Sequence, residues 1–385
     1  MAGAVGVARD LAGQLYEDRP VRDSLAGCVN IWRTMIDWGL ARQIAGVVAG
    51  EGANGAPTPA RLDGLPAAAA ESERLVTAYT GLRPPGALPR PEALDRRGWI
   101  DANVRSIRPL LQPLGDRLGS ELGPLAGPVR AVAGVVVAAE VGALFGYMSR
   151  HVLGQYELML LDSTVPARLL FVAPNLAEAR SNLDADAGQL LRWVALHETT
   201  HALQFEGVPW LREHLSGLVR ELLGTAEVSV DAGKLLRLPS GADLRALVDA
   251  VREGDLLSLV TGPEQRALLD RAQATMAVLE GYAEHVMDAV GAGVLPSLPQ
   301  LRAGLERRRS TRSAASRWLA RLLGLELKLR QYRLGKDFSD RVVAAGGIEA
   351  LNRVWTGPDA LPTLSELEDP RAWLERTRVP LVTKS

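Results

Sequence analysis

The chain has 385 residues, 47% hydrophobic and 23% charged, the composition of a folded protein rather than a disordered or fibrous one. Its 44 basic and 45 acidic side chains leave a formal net charge of −1, so no global field draws it to nucleic acid or to an anionic membrane. The single cysteine, Cys28, excludes an internal disulfide and a thiolate metal cluster, and residues 1–11 hold no basic stretch leading into an apolar run, which makes the cytoplasm the default location.

The first helical signal covers residues 29–48, where Ile31, Trp32, Met35, Ile36, Trp38, Leu40 and Ile44 recur at near-helical spacing. Residues 51–66 and 81–91 are dense in Gly and Pro and read as loops around one short helix near residues 71–79. Helices follow over 100–118 and 126–148. The second is rich in Ala, Val and Gly, but Arg130 and Glu140 leave only 131–139 uninterrupted, far short of the about 20 residues needed to cross a bilayer. It is expected to be a buried helix whose Gly134, Ala138, Ala139 and Gly142 let a neighbour approach closely.

At residue 151 the texture changes. Two short apolar runs, 155–161 and 168–172, flank a turn-like D-S-T-V-P segment and predict a β-hairpin or small sheet. After Pro174 the pattern is helical again. Asp184 and Asp186 place carboxylates at the positive end of a helix that Gly207 and Pro209 terminate. Helices are predicted over 210–223, 242–252 and 263–290, the last opening on Pro263 in its first turn, then near Leu301, Arg317 and Arg341 before a Pro-containing tail. The basic run Arg307, Arg308, Arg309, with Arg302, Arg312 and Arg317 around it, reads as a solvated face. The fold class is therefore mainly α with a small β-sheet (α+β). It divides into an N-terminal helical region with Pro/Gly-rich loops, residues 1–150, and a catalytic region, residues 151–385.

The chemistry concentrates in the helix that precedes Gly207. His197, Glu198 and His201 form an H-E-x-x-H pattern, and positions i and i+4 of a helix point the same way, so two imidazoles can hold one metal ion. Glu198 stands beside that ion as a general base for a zinc-activated water. Few structural uses require two histidines and a glutamate in this order. A catalytic zinc needs one more protein ligand, a histidine or a carboxylate from elsewhere. The extended three-histidine form is disfavoured, because Gln204 and Gly207 stand where it needs Gly and His.

A better source is the segment 280–285, E-G-Y-A-E-H. Glu280 and Glu284 share a helix face, so Glu280 is the expected third ligand and Glu284 the outer carboxylate that orients a histidine ligand. Gly281 inside a helix costs about 1 kcal/mol relative to Ala and implies close helix packing or access. His285 is a candidate for polarising the substrate carbonyl. Tyr282, Tyr332 and Arg333 are candidates for stabilising an oxyanion. His151 and His214 are expected to satisfy local hydrogen bonds.

Three stretches resemble the zincin-like metallopeptidase family common in actinobacteria, whose substrates are largely unassigned. They are 192–211 (R-W-V-A-L-H-E-T-T-H-A-L-Q-F-E-G-V-P-W-L), 280–285, and 331–338 (Q-Y-R-L-G-K-D-F). The resemblance spans most of the chain. Residues 36–41 (I-D-W-G-L-A) are similar to a subgroup associated with deazaflavin coenzyme biosynthesis. It implies a zincin-like catalytic region with Zn²⁺ at His197 and His201, Glu198 as base, and Glu280 on the counterpart of the gluzincin glutamate helix. Where gluzincins often carry Asp four residues after that ligand, this chain has Glu284.

The leading expectation is a cytoplasmic zinc metallopeptidase that cleaves a peptide or amide bond, with no nucleic-acid partner and no membrane span. Its substrate is expected to lie extended along a strand edge, for which residues 168–172 are the best candidate. The alternative is a non-catalytic zinc-binding or regulatory protein linked to coenzyme metabolism. Glu198 weighs against it, since a structural site needs no base. A di-iron bundle requires a second E-x-x-H, which the sequence lacks.

Overall fold

The computed structural model describes residues 36–52, 60–121, 127–162, 164–183, 185–225, 262–310 and 325–377. Cys28, Asp184, Arg312 and the helices predicted at 242–252 and near Arg317 lie outside them, as do the side chains of Arg307, Arg308, Arg309 and Tyr332. In chain order the elements are α1 (Trp38–Ala49), α2 (Leu65–Thr80), β1 (Pro91–Leu94), α3 (Arg96–Glu121), α4 (Gly127–Ser149), β2 (Gly154–Glu157), β3 (Arg168–Val172), α5 (Ala173–Leu183), α6 (Ala187–Gly207), α7 (Leu211–Thr225), α8 (Pro263–Gly291), α9 (Leu298–Ser310) and α10 (Leu325–Leu351). Two 3-10 turns and the short helices α11 (Leu364–Glu368) and α12 (Pro370–Arg376) complete them. The chain is mainly α with a small sheet, as its sequence predicts.

Local chemistry explains where helices start. The Asp37 carboxylate accepts the Leu40 amide at 3.0 Å and caps α1 at Trp38, while residues 29–35 of the predicted run 29–48, with Ile31, Trp32 and Met35, lie outside the described residues. Pro66, read as a loop marker, instead occupies the first turn of α2, where a missing N–H costs nothing. Asp186 caps α6 by accepting from the Gln189 amide at 2.9 Å. Helix α4 crosses α1 through small residues, and a Cβ at Gly146 would stand 2.6 Å from the Ala45 carbonyl oxygen. Among the described residues no helix is long and apolar enough to cross a membrane.

The sheet has the order β1-β3-β2, with β2 antiparallel and β1 parallel to the central β3. The predicted hairpin is present, with β2 ending at Glu157. Strand β1 falls in the segment read as a loop: it is four residues long and opens on a proline, which an edge strand tolerates as its first residue. This third strand corrects one expectation. Strand β3 is hydrogen-bonded on both sides and has no edge to offer a substrate, so among the described strands the sheet edge beside the site belongs to β2.

Three cores hold the elements together. The first joins Val76 of α2, Leu196 and Leu203 of α6, Val278, Tyr282 and Val286 of α8, and Phe338 and Val342 of α10. The second joins α1, α3 and α4, and the third packs α2, α5 and α6 onto β3. Because β1 pairs with β3 and α2 lies against α6, the residues on either side of position 150 share one sheet and one core.

Candidate metal centre

Helix α6 is buried on most of its circumference, including Glu198, Thr199, Thr200 and Gln204. From it His197 and His201 project side by side, their rings nearly perpendicular at 86° and their Nε2 atoms 3.2 Å apart. Glu280 reaches the same point from α8. Its Oε2 lies 3.5 Å from His201 Nε2 and 3.8 Å from His197 Nε2. A tetrahedral zinc with bonds of about 2.0–2.2 Å has donor–donor edges of about 3.3–3.6 Å. The three separations bracket that range, and two imidazoles with one carboxylate are the donor types zinc takes, so these residues fit the ion. Three protein donors also leave a fourth position open.

Glu198 is held by two features of β2. Its Oε2 accepts the Tyr156 amide at 3.0 Å, from the side of β2 that faces away from β3. Gly154 lies directly on the same side chain, and a Cβ there would stand 2.7 Å from Glu198 Cγ and 2.8 Å from Val194 Cγ1. Burial pushes the Glu198 pKa up to about 7; Glu280 adds to the rise, while His201 and the Tyr156 amide oppose it. For His201, burial works against the charge, but the hydrogen bond and charge of Glu280, together with Glu198, raise its pKa to about 9.

At its Nδ1, His201 is hydrogen-bonded to Gln204, three residues on in the same helix. Gln204 Oε1 lies 2.8 Å from His201 Nδ1, and Gln204 Nε2 donates to the Leu279 carbonyl at 3.0 Å. Glu284, expected in that outer role, has Arg302 at 3.6 Å, and Arg302 also pairs with Asp288. Gln204 carried one sequence signal, its position one helical turn beyond a ligand. Its significance depends on Leu279, which no local pattern reveals.

His285 lies at a junction of three helices. Its Nδ1 donates to the Asp340 carboxylate of α10 at 2.7 Å, and its Nε2 is hydrogen-bonded to the Tyr79 hydroxyl of α2 at 2.8 Å. Both ring nitrogens are engaged, so His285 is held between α2 and α10, and the half-buried Tyr79 is its partner on α2. Burial, then the charges of Asp340 and Glu349, push the Tyr79 phenol up. Burial also opposes the charge of Asp340, but hydrogen bonds from His285 and Lys336 hold its carboxyl below the usual range.

Tyr282 is fully buried, donates to Asn352 Oδ1 at 2.7 Å and packs its ring on Trp355, so the structure gives it a place in the core instead of at a substrate. Arg333 is exposed. His151 bonds the Tyr147 carbonyl through Nδ1 at 2.7 Å, the local role expected of it. His214 packs on Trp210, and its Nε2 has no hydrogen-bond partner among the described residues.

Gly281 explains how Glu280 arrives. A Cβ on Gly281 would overlap the backbone of Gly335, and one on Gly335 would overlap the carbonyl of Ala277. Helices α8 and α10 therefore touch backbone to backbone one residue from the carboxylate.

A buried H-E-x-x-H helix, an opposing glutamate helix and a strand edge on the central glutamate define a zincin-type site. The chain belongs to the zincin-like metallopeptidase family, whose model matches residues 36–374. No curated protein matches it. Among solved structures it is similar to a candidate hydrolase with a novel fold from Chloroflexus aurantiacus, at 33% identity over 89% of this chain and 98% of that one, with a TM-score of 0.65.

Proposed function

We propose that the protein is a zinc-dependent hydrolase that cleaves a peptide or amide bond, with His197, His201 and Glu280 holding the ion and Glu198 as general base. The observation that carries this reading is the convergence of three donor atoms at 3.2, 3.5 and 3.8 Å beside an acid that burial tunes to about 7. Zinc, when bound, supplies Lewis acidity: it polarises the scissile carbonyl and makes water nucleophilic near neutral pH.

The protein's own groups do the rest. The Tyr156 amide fixes Glu198 Oε2 and leaves Oε1 to take the proton of the attacking water, which Glu198 then passes to the leaving amine. The outer edge of β2, where Glu198 takes the Tyr156 amide, lies at the site, and with the metallopeptidase family it supports a peptide over a compact small molecule. These groups come from residues 151–385, while residues 1–150 supply α2, the helix that packs against α6.

Elemental analysis of purified wild type beside His201→Ala and Glu280→Ala tests the site. The expected result is about one zinc per chain in wild type and a sharp loss in both variants. Glu198→Gln is expected to keep the zinc and lose about 10²–10⁴-fold in turnover on any peptide that a library screen identifies. A folded wild type with no affinity for zinc would sink the proposal.

A further inference from the structure

Gln204 is fully buried and bonded at both ends of its amide, to the imidazole of one proposed ligand and to the peptide that carries another. The direction of these bonds is forced. Leu279 offers a carbonyl oxygen, which only accepts, so the Gln204 NH₂ must face it. Turning the amide round would set two oxygens against each other at 3.0 Å in a buried site. The Gln204 oxygen therefore faces His201 Nδ1, and that nitrogen must carry the hydrogen. In neutral His201 the lone pair is then on Nε2, the atom 3.2 Å from His197 Nε2 and 3.5 Å from Glu280 Oε2.

The second bond does separate work. Leu279 directly precedes Glu280, so the NH₂ that fixes the Gln204 amide also ties α6 to α8 at the residue before the carboxylate. One side chain thus sets the tautomer of one donor and the height of another. We infer that Gln204 is the positioning residue of the metal centre, presenting His201 through Nε2 and holding the Glu280 segment against α6. This rests on the reading of His197, His201 and Glu280 as zinc ligands.

The test compares wild type with Gln204→Met, which has similar volume but no hydrogen-bonding amide. Zinc affinity is measured by competition with a chromophoric chelator, and thermal melting of both metal-free proteins reports any loss of fold. Gln204→Met is expected to bind zinc about 10–100-fold more weakly. A role in packing alone would lower the melting temperature and leave the affinity of the folded protein unchanged, which would overturn the inference.

Cobalt-loaded wild type supplies a readout that needs no Gln204 variant. A His201 Nδ1–H shielded by Gln204 gives a paramagnetically shifted proton resonance that exchanges slowly with water and disappears in His201→Ala. Its absence from wild type, or a metal ion bound at His201 Nδ1 in a zinc-loaded crystal, would also overturn the inference, even if Gln204→Met does not fold. A wild type that binds neither metal removes the proposed function and this inference together. A wild type that binds zinc no better than Gln204→Met removes the inference alone.

Discussion

His201 is largely buried beside two carboxylates that raise its pKa to about 9, so it is expected to carry a proton at neutral pH before any metal binds. A metal ligand must be neutral, so binding has to displace this proton. Zinc affinity is therefore expected to rise with pH up to about pH 9, by about tenfold per unit. Calorimetric titrations at pH 7 in buffers of different ionisation enthalpy should show close to one proton released per zinc, and a buffer-independent enthalpy would contradict the assignment. Gly154 makes a second demand at this scale. A methyl group there meets Glu198 Cγ at 2.7 Å, so Gly154→Ala should displace the base or cost about 1–3 kcal/mol. Urea denaturation and zinc content of the variant separate these effects, since a displaced base leaves the metal ligands in place.

Helices α8 and α10 show what an element can do that a residue cannot. Their contact through Gly281 and Gly335 leaves no room for even a methyl group, and its opposing atoms are backbone, which cannot turn aside. Gly281→Ala is expected to destabilise the fold by about 3 kcal/mol or more, seen as a lowered urea midpoint with reduced zinc content. A variant as stable as wild type would show that the two helices can separate without consequence.

The motif helix and the ligand helix were both legible in the sequence, because each combines helical spacing with a terminus signal: Asp186 and Gly207 for α6, Pro263 and Gly291 for α8. Even the need for close packing could be read from Gly281. What could not be read was which carbonyl would meet Gln204 or which strand would cover the far side of β3. Those pairings depend on residues distant in the chain, and a four-residue strand opening on Pro91 has too little alternation to announce itself. The choice of β3 as the substrate edge failed for the same reason.

At the scale of the molecule, the proposed ligands come from two helices separated in sequence, and parts of the chain before residue 150 complete the core around them. A metal that bridges such segments binds the folded chain far better than the unfolded one. Zinc at a thousandfold excess over its dissociation constant should therefore stabilise the protein by about 4 kcal/mol and raise its melting temperature, with a chelator reversing the change. An unchanged melting temperature would place the ion outside the fold's support.

The glycine contact between α8 and α10 has a consequence for how the protein can vary. Side chains in a core can be exchanged for others of similar volume, with their neighbours adjusting around them. A seam of main chain against main chain has no such freedom. It acts as a fixed mechanical reference, and Glu280 is mounted one residue from it. Repacking elsewhere in the interior can then drift over generations while the distance from this carboxylate to the α10 axis stays where the two glycines set it.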